Sequence, residues 1–378
     1  MAAEESGWFD RRSPFARLLR ATGLLRNDRG DPKRVVLAVT GLVWLPLLAI
    51  ELVVLAIVGH VDSIFLRAAI HVRLLVAIPA FLLAEFEFAT RTDACVRRIL
   101  DGRLFAPEQG EDVRSLVAWA SRRRDSAIVA ALQLLSGIAL GQFAIWHGLT
   151  LVTAGSSEGR SAGVVWYGFV ALPVFCFLLL GWVWRWTIWG LLLWRLSRLA
   201  PRLQPMHPDR AGGLGFLVGP SLAFGVFLFG TSAVIAATFA SSMVNEGASL
   251  SSFGPELTVL VIGGELIALG PLLVFSGRLI RTRLRGIERY GALGIDYVRL
   301  FHERWIEGGS EEILGTPDIQ SLADYQGAFQ TLASMRVIPF GRHEMVLVAV
   351  ALLLPMVALL LVALPVEELL AHLAGMLF

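Results

Sequence analysis

The sequence predicts an all-α membrane protein: a polytopic bundle of about seven transmembrane helices, with its N-terminus cytoplasmic and its C-terminus periplasmic. Three observations predict it, namely the composition, a series of long apolar runs, and the placement of basic residues between those runs. Of 378 residues, 56% are hydrophobic and 17% are charged, whereas soluble domains carry about 25% charged residues. The charges stand in blocks between apolar runs, and a run of roughly 18 or more apolar residues crosses the hydrocarbon core as a helix. Lipid offers the backbone no hydrogen bonds, so each run must satisfy its own N–H and C=O groups and is therefore helical.

The runs cover approximately 35–58, 72–90, 127–150, 164–188, 214–240, 256–276 and 344–364. The second is the least apolar, since it contains Glu85 and Glu87 and begins beside Arg73. With the N-terminus inside, segments 1–34, 91–126, 185–213 and 277–343 hold eight, eight, five and nine of the 33 basic residues. The outside loops hold Arg67, Arg73 and Arg160. This is the positive-inside asymmetry, and adding or removing a span in mid-chain would destroy it. Trp182, Trp184, Trp186, Trp189 and Trp194 gather at the cytoplasmic end of the fourth run, as an interfacial belt does.

Four parts follow: a basic cytoplasmic N-terminal segment (1–34), a six-span domain (35–276), a cytoplasmic helical segment (277–343), and a seventh span with a periplasmic tail (344–378). In the first, Phe15 to Leu25 interleaves Leu and Phe with Arg17 and Arg20 and is followed by Arg26, which suits either a helix on an anionic membrane surface or a frayed terminus. The first apolar run has no A-x-A site after it and reads as an uncleaved signal anchor. In the third part, Arg278 to Trp305 mixes Arg with apolar residues at helical spacing, either extending the sixth run or lying on the surface. Thr316-Pro317-Asp318 then predicts a helix start, with the helix stopping before Pro339. About 65 residues with few apolar clusters build no sizeable core of their own, so this part reads as a docked element.

The composition also excludes functions. A net charge of +2 is too small to suggest nucleic acid. The basic residues are all Arg except Lys33, a bias that suggests a GC-rich bacterial genome. Cys95 and Cys176 have neither C-x-x-C spacing nor a neighbouring His, which leaves no disulfide framework and no metal site. His60, Asp62 and His71 in the first outside loop form at most a weak metal site. H-E-x-x-H, G-x-S-x-G and P-loop motifs are absent, so no enzyme chemistry and no cofactor is predicted.

Ionisable groups in hydrocarbon are costly and mark functional sites by default. Glu265 sits near the middle of the sixth run, and on an ideal helix Thr258 and Ser276 fall within about 20° of it as a polar stripe. No basic residue occupies that depth, and a carboxyl without one favours its protonated form in hydrocarbon. Glu265 therefore reads as a proton or cation site, or as a protonated Glu donating one interhelical hydrogen bond. Glu51, in the outer half of the first run, matches the depth of His147 in the third; the two read as a pH-sensitive contact or a structural pair. Glu87 has Arg91 four residues on, a snorkelling pair. Glu85 has no such partner and must face the bundle.

The loop His207-Pro208-Asp209-Arg210-Ala211-Gly212-Gly213-Leu214-Gly215-Phe216 enters the fifth run from the cytoplasm. Its glycines permit unusual dihedrals and close backbone approach. His207, Asp209 and Arg210 line an entrance or hold an ion in one reading, and form a tight interfacial turn in the other. Gly137 and Gly141, and Gly215 and Gly219, are G-x-x-x-G pairs that bring helices together. Prolines 46, 79, 173, 220, 271 and 355 place a kink in six of the seven runs.

The His207–Phe216 loop, together with Asp318-Ile319-Gln320-Ser321-Leu322-Ala323-Asp324, resembles a group of uncharacterised bacterial multi-span inner-membrane proteins with an HPD-x-A-G-G-L-G-F loop. The resemblance implies a bacterial membrane setting and brings no activity or site residue. The functional expectation is a proton- or cation-linked channel or transporter, with Glu265, Glu85 and Glu51 along the path and the His207–Gly215 loop as its gate. The alternative is a non-transporting scaffold or regulatory subunit docking through 277–343 and 1–34. A membrane-embedded enzyme ranks last. The expected partners are the lipid bilayer, further copies of the chain, and a cytoplasmic protein on 277–343.

Overall fold

The computed structural model describes residues 32–59, 65–101, 104–146, 161–308 and 317–363. The described residues are 87% helix, with no strand among them. Its helices are α1 (Pro32–Val58), α2 (Ala68–Leu100), α3 (Gly110–Arg124), α4 (Ala127–Trp146), α5 (Ala162–Arg198), α6 (Val218–Glu246), α7 (Gly254–Leu269), α8 (Ser276–His302), α9 (Pro317–Ala333), α10 (Arg342–Leu353) and α11 (Val357–Ala363). Among the described residues, seven helical segments are long and apolar enough to cross a membrane. The basic N-terminal stretch, His60, Asp62, His147, Thr316 and the C-terminal tail lie outside the described residues.

Prolines shape the spans. A proline has no N–H and so leaves a carbonyl in the preceding turn without its helical donor. In α2 and α5 the chain answers with a π turn, at Arg73–Ala77 before Pro79 and at Tyr167–Ala171 before Pro173. In the last two spans it answers with a 3₁₀ stretch, Gly270–Phe275 around Pro271 and Leu354–Met356 around Pro355. Side chains from neighbouring helices then supply donors. Trp186 Nε1 donates to the Ile267 carbonyl at 2.7 Å, four residues before Pro271. Gln142 donates to the Gly168 carbonyl at 3.3 Å, five residues before Pro173 and across its π turn. Ser232 donates to the Leu352 carbonyl, and Trp166 to the Val43 carbonyl at 3.0 Å, each three residues before a proline.

The core lies between α2, α5 and α6 and is largely aromatic. Trp182 stacks on Phe227 with ring centroids 5.1 Å apart and meets Phe224 edge-on at 5.2 Å. Phe88 contacts Trp182, Trp189 and Phe224, and Phe81 packs on Phe227 at 4.9 Å. Gly230 lets α6 approach α2, since a Cβ there would stand 2.9 Å from Ala80 Cβ and 3.3 Å from Ala77 Cα. Gly137 and Gly141 play the same part between α4 and α5, where a Cβ would meet the Pro173 and Gly168 carbonyls at 3.0 and 3.1 Å. Gly215 and Gly219 do not form such a stripe: Gly215 abuts Asp209 of its own loop, and the space beside Gly219 is open to 3.9 Å.

The tryptophan belt needs correction. Trp182 and Trp189 are 1% and 0% exposed and belong to the core, whereas Trp186 and Trp194 are 36% and 44% exposed. Residues seven apart share a helix face, so 182 and 189 turn inward together and only part of the cluster faces outward. Exposed apolar side chains such as Leu37, Ile57, Ile128, Val259 and Ile262 give α1, α4 and α7 the surface a bilayer requires.

Candidate functional site

Two levels of buried charge lie on α2 and α5. At the first, Arg73 and Tyr167 open the two π turns and meet each other: Arg73 Nη1 donates to the Tyr167 hydroxyl, and its guanidinium lies 5.4 Å from the Phe175 ring centre. Arg73 was expected in a loop, yet it is 6% exposed inside α2, because the hydroxyl and the ring face replace water around its charge. Glu51, 2% exposed, continues the inward face of α1 formed by Val35, Val43 and Leu47, which packs on α2 and the start of α5. The expected Glu51–His147 contact falls on a residue outside the described ones.

At the second level the expectation of an unaccompanied Glu85 is corrected. Arg185 of α5 donates to Glu85, and the pair is largely enclosed. Arg185 reaches it by folding back over its own helix, where a Cβ on Gly181 would lie 2.8 Å from the guanidinium. Glu87 pairs with Arg91 at 2.5 Å on the same helix. Sequence reading missed Arg185, which was placed among cytoplasmic charges; the signal was a glycine one turn before an arginine.

Glu265 stands apart from these. It lies on α7, next to Gly264, which packs so tightly on α10 that a Cβ would come within 2.5 Å of Leu352. Glu265 Oε2 is enclosed and has no hydrogen-bond partner among the described residues. The expected polar stripe is only half present. Thr258 donates to its own helix at Gly254, and the stretch Gly270–Phe275 winds at three rather than 3.6 residues per turn. Over six residues that turns Ser276 away from Glu265 by roughly 120° relative to a straight helix.

The loop before α6 is built around Asp209. Its Oδ1 accepts from the N–H groups of Ala211 and Gly213 at 2.8 and 3.1 Å, and its Oδ2 from Gly215 at 2.9 Å. His207 Nδ1 lies 2.8 Å from Oδ1. Burial pushes the carboxyl up, but the Gly215, Ala211 and Gly213 amides and the His207 ring outweigh it and hold it below its ordinary value. The turn requires left-handed backbone at Arg210, Gly212 and Gly213, with φ of 53°, 66° and 93°. Arg336 ties it down from the far side: its guanidinium donates to the Asp209 carbonyl at 2.8 Å and its N–H to the Arg210 carbonyl at 2.7 Å. The acceptors expected to face an ion are thus turned to the loop's own backbone. Arg336 carried no signal in the sequence.

His71 is engaged as well, accepting from Trp44 Nε1 at 3.1 Å and facing the Phe65 carbonyl at 2.6 Å. No group of three His, Cys, Asp or Glu side chains is placed to hold a metal ion among the described residues.

No family model, curated protein or solved structure matches this chain.

Proposed function

We propose that the protein is a proton- or cation-linked channel or transporter of a bacterial inner membrane, with Glu265 as the protonation or cation site. The observation that carries this reading is the enclosed Glu265 Oε2 without a hydrogen-bond partner among the described residues. A carboxyl with an enclosed, unpartnered oxygen in an apolar span is costly, and ionisable groups there mark ion and proton pathways. Its surroundings support movement. Both adjoining spans are broken by 3₁₀ stretches at Pro271 and Pro355, and mid-helix 3₁₀ often marks a hinge. The aromatic core of α2, α5 and α6 would be the fixed frame, and the path would follow the α7–α10 seam beside it. Glu85, held by Arg185, acts as a brace in this scheme. The bacterial setting rests on the Arg bias and the loop resemblance, and the orientation on the basic-residue count.

The test is ion flux into liposomes holding the full-length protein, under an imposed pH, Na⁺ or K⁺ gradient. The expected result is flux above empty liposomes that Glu265→Gln abolishes while the melting temperature stays unchanged. Flux that survives the substitution removes Glu265 from the path.

A second reading, a non-transporting scaffold or regulatory subunit, is favoured by one observation. The α8–α9 hairpin carries an open groove of about 700 Å³, lined by Gly291, Ile295, Val298, Tyr325 and Phe329 with Glu303 and Glu307 among its polar residues. No flux for any of the three ions would favour it, and crosslinking in native membranes that captured only further copies of the chain would count against it.

A further inference from the structure

Three arginines converge where α5 leaves the bundle and α8 begins. Arg278 of α8 donates to the Arg198 carbonyl at the end of α5 at 3.4 Å. Arg281, less than one turn on, bonds back to the Gly277 carbonyl at 3.0 Å. Arg278 is close enough to both Arg281 and Arg198 to be repelled by each. No carboxylate pairs with any of the three among the described residues. The fold brings α5 and the root of α8 together: α5 packs against the Gly270–Phe275 stretch, and Trp186 bonds to Ile267 just before it. An uncompensated cluster of like charge at one point is unfavourable unless an anion joins it.

The surroundings say what kind of anion fits. Arg198 lies 4.8 Å from the ring centre of Trp194, which is itself exposed. Leu191 on the same face of α5, Leu273 in the 3₁₀ stretch, and Ile280 and Leu284 on α8 are exposed apolar side chains, each within about two helical turns of one of the arginines along the chain. A charged head against guanidiniums and an apolar body against these side chains is the chemistry of a phospholipid. Arginines also match phosphate geometry, donating in pairs to its oxygens, and basic pockets between helix ends at a membrane surface take anionic headgroups.

We propose that Arg198, Arg278 and Arg281 form a binding site for the phosphate headgroup of an anionic membrane phospholipid, whose acyl chains lie along Leu191, Trp194, Leu273 and Ile280. The site clamps the α5 end to the root of α8. It would hold the α7–α8 break in one geometry while lipid is bound. The inference does not depend on transport by the protein.

The test uses the full-length protein in detergent micelles, with melting followed as phosphatidylglycerol, phosphatidylcholine or inorganic phosphate is titrated. Phosphatidylglycerol is expected to raise the melting temperature, and the other two are not. Arg198→Gln/Arg278→Gln/Arg281→Gln should weaken that lipid response on the order of a hundredfold, from about fivefold per arginine at a membrane surface. Arg285→Gln/Arg289→Gln, farther along α8, should leave it unchanged. Equal responses to phosphatidylcholine overturn the proposal, as do equal losses in the two variants, which would mean diffuse charge. Stabilisation by inorganic phosphate matching that by lipid also overturns it, by assigning a free-phosphate site. Melting without lipid reports folding. If the triple variant fails there, Arg278→Gln alone decides, with about a fivefold loss expected and no loss overturning the site.

Discussion

Asp209 is an acidic side chain whose oxygens accept from three backbone N–H groups of one turn. Asp209→Asn keeps the size but halves the accepting oxygens and removes the charge, which should cost about 1–3 kcal/mol of stability. The pH dependence follows from the same contacts. The folded carboxyl is held below its ordinary 3.8, so its stabilisation is complete above that value and is lost as the pH falls through the lower folded one. Melting of the wild type should therefore steepen downward below about pH 4, and that of Asp209→Asn should be flatter there. Parallel profiles would show that the carboxylate contributes nothing. The glycines of this loop made a tight turn legible. The tie to Arg336, 127 residues away, was not, because it depends on which helix end lies beneath the loop.

At the level of elements, the spans are held by donors that repair proline breaks. Trp186 and Pro271 form the clearest pair, since the ring N–H meets the one carbonyl that Pro271 strips of its helical partner. Trp186→Phe should cost about 0.5–2 kcal/mol, the range of hydrogen bonds between membrane helices. In a Pro271→Ala background, where the N–H returns to the helix, the same substitution should cost less. A double-mutant cycle on thermal or denaturant unfolding checks this, and equal costs in both backgrounds would remove the link. The prolines were plain in the sequence. Whether each would produce a π turn or a 3₁₀ stretch was not, because that choice depends on how the neighbouring helix crowds the kink. The consequence reaches Ser276, which a straight-helix projection sets beside Glu265 and the 3₁₀ winding turns away.

For the molecule as a whole, the basic-residue count predicts sidedness that the helices alone do not carry. In a background lacking Cys95 and Cys176, Arg281→Cys should react with a membrane-impermeant thiol reagent only from the cytoplasmic side. Ser251→Cys, in the exposed turn before α7, should react only from the opposite side. The reverse pattern would invert the topology, and labelling of both from one side would break the span count.

The class of the protein and its seven apolar spans are determined by the sequence alone. Hydrocarbon thickness and the need to satisfy the backbone act on each segment by itself, whatever its neighbours. Only the tertiary structure decided which polar groups meet. Glu85 finds Arg185 a hundred residues on, Trp182 and Trp189 enter the core while Trp186 and Trp194 stay outside, and one oxygen of the half-buried Glu265 is left enclosed without a partner among the described residues. Those outcomes depend on the rotation and lateral position of each helix. Packing sets both, and a single change of helical pitch at a proline re-aims every residue beyond it.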